Sequence, residues 1–159
     1  MVDGYILPGR MKVFWVNTLS SVTSPTATQI NAGTELTGAL KGAPDAPRSG
    51  NTADDSDLST RVDKQAQGTI TLGSITMMIK RTLATETAYA AIVEAASGFL
   101  VVFRKGTAGA SPAADDVADV FTVDVNVKAP GTPGRNEVDF SNAELINTAE
   151  PSYDAVLVA

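Results

Sequence analysis

The 159-residue chain contains no cysteine and no histidine. The first absence excludes a disulfide framework, thiolate nucleophiles and cysteine-ligated metals. The second is more restrictive, because most acid–base catalysis at neutral pH and most zinc and iron sites rely on imidazole. Basic residues are also scarce: 12 Lys and Arg stand against 18 Asp and Glu, a formal charge of −6. They are scattered singly, so no basic face assembles to grip phosphates, and ordinary nucleic-acid binding is set aside. No apolar run approaches the ~20 residues of a membrane span. The N-terminus has no charged-then-apolar signal sequence, so the product is expected to stay in the cytoplasm of the cell that makes it.

A catalyst built on carboxylates alone would need two acids in a dry pocket that raises a pKa. Asp115-Asp116 and Asp54-Asp55-Asp57 fall in segments without neighbouring apolar bulk. Asp124 and Asp139 share the polar face of two expected neighbouring strands, which reads as a wetted surface. The triple-acid cluster lacks the alternation and closing glutamate of a calcium loop. Gly131 and Gly134 belong to a Pro-containing turn with no lysine or helix after it, and no Gly-x-Ser-x-Gly elbow exists. The sequence therefore predicts no catalytic residue, no metal ligand and no cofactor.

What is present is a mainly β pattern organised around Gln67 to Lys105. Thr69 to Lys80 alternates apolar and polar residues as a half-buried strand does. Ile70 and Leu72 have one parity and Ile75, Met77 and Ile79 the other, so a bulge is expected at Gly73-Ser74. Thr82 or Thr85 is placed to cap a single flanking helix, about Thr82 to Ala96 (82–97 with its end). Leu83, Tyr89 or Ala90, Ile92, Val93 and Ala96 form its apolar stripe, and Gly98 its C-terminal cap. Phe99 to Phe103 is continuously apolar, which predicts a strand covered on both faces.

Around this unit, residues 1–10 read as an irregular arm. Met11 to Val16 is a strand with Phe14 and Trp15 on opposite faces, the tryptophan as a core anchor. Asn31 and Gly33 predict a tight turn between short strands, with Ile30 and Leu36 inward. Residues 41–66 form a long polar loop in which Leu58 and Val62 are almost alone as apolar residues. Such loops need an outside contact, here another subunit, to become ordered. Gly106 to Asp116 reads as a second flexible excursion. Phe121, Val123, Val125 and Val127 then alternate strictly with Thr122, Asp124, Asn126 and Lys128. A turn at 129–134 returns the chain through a strand from Glu137 to Ile146, with a parity slip near Ser141-Asn142. Ala155 to Ala159 ends the chain as a short apolar strand suited to a subunit contact.

The stretch Ser24-Pro25-Thr26-Ala27-Thr28-Gln29-Ile30-Asn31-Ala32-Gly33-Thr34-Glu35-Leu36-Thr37, followed by loop, strand, helix, strand, hairpin and C-terminal strand, resembles the major tail tube proteins of long, non-contractile-tailed bacteriophages, particularly of actinobacterial hosts. The resemblance implies one domain over residues 1–159, a β-sandwich or partial β-barrel with a flanking helix and long loops. It implies a structural protein, not an enzyme, assembled in the host cytoplasm into hexameric rings that stack as a virion tail tube. Thr69, Thr71, Thr122, Asp124, Asn126, Lys128, Glu137 and Asp139 would line a polar to acidic lumen through which double-stranded DNA passes without specific binding. Arg48, Asp54, Asp55, Asp57, Leu58, Arg61, Val62, Val156 and Val158 would meet neighbouring subunits or rings. The implied partners are further copies of the chain, a tape measure protein, and tail terminator and distal tail proteins, with no membrane insertion. A contractile-tail or type VI secretion tube protein is the nearest alternative. A carbohydrate-binding β-sandwich is less well served, since Tyr5, Trp15, Tyr89 and Tyr153 are dispersed.

Overall fold

The computed structural model describes residues 11–56 and 63–159. Nine strands and two short helices are present among them: β1 Lys12–Val16, α1 Ala27–Asn31, β2 Thr34–Glu35, β3 Arg48–Asp54, β4 Gln65–Leu72, β5 Ile75–Lys80, α2 Glu86–Ala91, β6 Ser97–Phe103, β7 Val117–Pro130, β8 Phe140–Asn147 and β9 Ser152–Val156. Seven strands form one curled sheet in the order β2-β1-β6-β7-β8-β5, and β9 pairs with the first residues of β7. β3 and β4 pair only with each other, as a separate two-stranded ribbon.

The alternation of side chains splits the sheet's apolar residues between two cores. On one face Val13, Trp15, Leu100, Val102, Phe121, Val123, Ile75, Met77 and Leu145 pack with Ala88 and Ile92 from the helix region. On the other, Phe14, Val16, Val101, Phe103 and Val120 pack with Ala27, Ile30 and Leu157. The expected opposition of Phe14 and Trp15, and the double cover of Phe99 to Phe103, follow from this division. Trp15 is 2% exposed and its indole N–H donates to Asn17 Oδ1 at 3.0 Å, so the core anchor is also polar-satisfied. A strap closes the curl: Leu36 N donates to Val13 O at 2.8 Å, and Lys41 N donates to Met78 O at 2.9 Å. Residues 36–45 thus run from the β2–β1 side of the sheet to the β5 edge, ending in the Asp45–Thr76 bridge.

Several sequence expectations are corrected. Thr69 to Lys80 is not one bulged strand. Its two parities belong to β4 in the ribbon and β5 in the main sheet, with the chain changing sheets at Gly73-Ser74. The long polar loop contains β3, and its apolar-poor composition matches a ribbon whose β3 residues are all exposed. The tight turn at Asn31 is preceded by a second helix, α1, capped by Thr26 Oγ1, which accepts from Gln29 N at 3.3 Å. The flanking helix is one short turn, Leu83–Thr85, followed by α2. It stops before the β-branched pair Ile92-Val93, where Ile92 turns to φ −89°, ψ 102°. Ile92 is fully buried, whereas Leu83 and Val93, assigned to the apolar stripe, are 94% and 56% exposed. Gly98 caps no helix. It lies in β6, where a Cβ would come within 2.5 Å of the Trp15 ring.

The second excursion is tied down. Asp116, 8% exposed, accepts from Ala108 N at 3.0 Å and Ala113 N at 2.9 Å. Asn31 Nδ2 donates to Pro112 O at 2.9 Å, and Leu157 N to Asp116 O at 2.9 Å. The expected slip at Ser141-Asn142 lies instead on the facing strand. β7 and β8 shift register between Val125 and Val127, leaving Asn126 as the extra residue. β8 begins at Phe140, so Glu137 and Asp139 precede it.

Candidate functional site: an open sheet face and a projecting ribbon

The face of β5, β8 and the C-terminal half of β7 turned away from the first core is open. Thr76, Met78, Asn142, Glu144, Ile146, Thr122, Asp124 and Val127 share it, because directly paired residues of neighbouring strands point to the same side. Thr122 and Asp124 lie there as the alternation predicts, half-buried on β7. Beyond the Asn126 bulge the phase reverses. Val127 takes the open face, and Lys128 turns to the opposite one, beneath α2. There its Nζ donates to Tyr89 O at 3.0 Å and to Ile92 O at 2.7 Å, and sits 3.8 Å from the Tyr89 ring centre. Its backbone N–H donates to Glu94 Oε1 at 2.9 Å. Lys128 therefore holds the end of the helix through its unpaired carbonyls.

The other expected lumen residues separate. Glu137 accepts from Gly134 N at 2.6 Å and pairs with Lys41 at 3.6 Å. The Gly134 N–H, and after it the Lys41 ammonium, hold its carboxyl below the ordinary value of 4.5. Asp139 pairs with Arg81 at 3.7 Å, away from Asp124, which pairs across the sheet with Ile146. Thr69 and Thr71 are exposed on β4, in the ribbon. Thr76, Met78, Asn142, Glu144, Ile146 and Val127 were missed. The signal for the first five was the complementary parity of buried Ile75, Met77, Ala143 and Leu145. Val127 was hidden by a bulge that its unbroken apolar–polar alternation conceals. A groove of about 420 Å³ crosses this face, lined by Ala43, Thr76, Met78, Val127, Asn142 and Glu144 among others.

The expected contact residues lie elsewhere. Arg48 starts the ribbon, pairing with Glu150 at 3.8 Å and stacking over the Tyr153 ring at 5.1 Å. Asp54 accepts from Ser56 N at 2.9 Å, and the Ser56 hydroxyl and N–H keep its carboxyl below its ordinary value. Asp55 N donates to Lys64 O at 2.9 Å across the ribbon. Asp57, Leu58, Arg61 and Val62 lie outside the described residues. At the C-terminus Ala155 and Leu157 are buried in the second core, while Val156 and Val158 stand 48% and 44% exposed. Val158 is tied in by Ala27 N to its carbonyl, and by its own N–H to Pro25 O, both 3.0 Å.

Among the described residues no group of three or more acidic side chains is arranged to hold a metal ion. The other buried acid among the described residues, Asp119, accepts from Arg104 Nε and, at 3.0 Å, from Asp154 N.

Comparison with known proteins gives the family. A protein-family model described as "Phage tail tube protein" matches residues 4–159. Among solved structures, a chain of the six-fold symmetrised anti-feeding prophage baseplate superposes with a TM-score of 0.51 at 10% identity, covering 89% of this chain and 90% of that one. An Hcp protein crystal structure covers 91% and 98%, with a TM-score of 0.40 and 8% identity. No curated protein sequence matches. The family match spans nearly the whole sequence, and the chain belongs to the phage tail tube proteins, a structural component of the virion and not an enzyme.

Proposed function

We propose that residues 1–159 act as a single tube-building domain that assembles into hexameric rings, stacked as the tail of a long, non-contractile-tailed phage. The open face of β5, β7 and β8 is the lumen wall, and the β3–β4 ribbon reaches the neighbouring subunit or ring. The observation that carries this reading is the curled sheet with one uncovered face bearing Asp124 and Glu144, in a chain of net charge −6. Acidic groups there repel phosphates and let double-stranded DNA slide through without binding. The ribbon supports the contact role: β3 is exposed on both faces, and a two-stranded ribbon gains lasting order only from something packed against it. A tape measure protein inside the tube, and terminator and distal tail proteins at its ends, complete the set of partners.

Negative-stain electron microscopy at low and high protein concentration tests the proposal. Hollow rings or tubes of uniform bore are expected, with six-fold end views. Replacing the ribbon by a short turn should leave a folded subunit that no longer stacks. A compact monomer at every concentration, with the ribbon resistant to protease, would overturn the reading.

A further inference from the structure

The ribbon is not a loose appendage, because its root is clamped to the body of the subunit. Gly73, just past β4, donates its N–H to Pro47 O at 2.9 Å, and its carbonyl accepts from Asn147 Nδ2 at 3.2 Å. A Cβ at Gly73 would lie 2.6 Å from Pro47 Cγ, so the two entering segments touch directly. On the ribbon's first residue, the Arg48 guanidinium lies over the Tyr153 ring at 5.1 Å and reaches Glu150 at 3.8 Å. Tyr153 in turn meets Phe121 edge to face, centroids 5.9 Å apart and planes at 89°, and Phe121 is 2% exposed in the first core. A continuous line of contacts therefore runs from the core through β9 to the base of an otherwise exposed ribbon.

We infer that Arg48 and Tyr153 are positioning residues that fix the direction in which the ribbon leaves the sheet, presetting its contact with a second copy of the chain. The clamp itself rests on the contacts above. Its consequence for assembly rests on the proposal that the ribbon is an interface. A ribbon held in one direction loses less freedom when it docks, so association is favoured without any added contact. Of the two Arg48 partners, the ring is the one that matters. Glu150 is 81% exposed, and a solvated ion pair of that kind contributes little. The ring is anchored on Phe121, and the planar guanidinium is suited to stack on it.

The absence of native cysteine makes the test direct. Nitroxide labels on cysteines introduced at Thr52, in the ribbon, and Ser97, in β6, report ribbon direction as a distance distribution in the full chain. Labelled subunits are diluted in unlabelled ones. The parent is expected to give one narrow distribution. Tyr153→Phe and Glu150→Gln should keep it, while Tyr153→Leu and Arg48→Gln should at least double its width. Arg48→Gln touches no core residue, so it decides the matter if Tyr153→Leu folds poorly. Widths unchanged in Arg48→Gln, or equally broadened in Tyr153→Phe, overturn the clamp. Assembly is read separately on the same variants: a critical concentration raised about tenfold in Arg48→Gln bears out the consequence. Broadened distances with unchanged assembly would instead retain the clamp and reject the ribbon as an interface.

Discussion

Single side chains in this protein are constrained more tightly than their type suggests. Gly98 is the sharpest case, since any β-carbon would enter the Trp15 ring at 2.5 Å from Cζ2, and that ring is fixed in the core. Gly98→Ala is expected to cost about 1–3 kcal/mol, the usual range for overpacking a filled core, measured as a lowered urea midpoint with an unchanged slope. Glu137 is a different case, exposed and acting through charge. Its folded pKa is depressed, first by the Gly134 N–H and then by Lys41. Ionised Glu137 therefore favours the folded state above the ordinary value of 4.5, and this contribution is lost as pH falls through the lower, folded value. A proton titration followed by NMR should place the Glu137 midpoint below 4.5. Glu137→Gln should leave stability above pH 5 nearly unchanged in its pH slope and flatten the acid side. A midpoint at or above the ordinary value would contradict the assigned contacts.

At the scale of elements, the alternating strands were legible because burial on one face writes period two into the sequence. Phe121 to Val125 in β7 and the buried side of β5 could be read that way, whereas β1 and β6, buried on both faces, were legible as short apolar runs. What escaped were decisions made by tertiary pairing. Nothing local tells that the parity change at Gly73-Ser74 marks a passage between sheets instead of a bulge. The extra residue at Asn126 leaves the apolar–polar alternation of β7 intact while reversing its faces. Helix α1 has five residues and only Ala27 and Ile30 buried, too short for a 3.6-residue period to show. The expected long helix ends before the β-branched Ile92-Val93 pair, and Lys128, delivered by the same bulge, donates to the carbonyls of Tyr89 and Ile92 at that end. Lys128→Met keeps the aliphatic stem but removes those charged hydrogen bonds, each worth about 1.5–3 kcal/mol when well shielded. With the site half-buried, each of the two bonds counts at or below the lower end of that range, and a combined loss of about 2–3 kcal/mol is expected. Amide exchange should accelerate in α2 and at Ile92 while the β6–β7 amides change only with global stability. Equal acceleration everywhere would mean that Lys128 supports the sheet and not the helix.

For the whole molecule, the proposed tube gives the uncovered sheet face a role as the lumen wall. A monomer with Met78, Val127 and Ile146 at 44%, 39% and 43% exposure on one face exposes apolar side chains that a closed barrel would turn away from bulk solvent. The same face carries Asp124 and Glu144, and their charge sets the expected behaviour toward DNA. Reversing both, as Asp124→Lys with Glu144→Lys, adds four positive units to each subunit on the proposed lumen side. Neither carboxylate has a salt-bridge partner among the described residues, so the subunit's stability should shift by only about 0.5 kcal/mol per site. Tubes of the double variant should retain a short labelled duplex on sedimentation at low salt and release it as salt rises, since the new contact is with phosphates. Parent tubes should retain none at any salt. A control pair reversed on the ribbon, Asp54→Lys with Asp55→Lys, separates inside from outside, because DNA bound there is open to nuclease digestion. Nuclease-protected duplex in the open-face variant alone would support the lumen assignment. Equal digestion in both variants would place the open face on the tube's exterior.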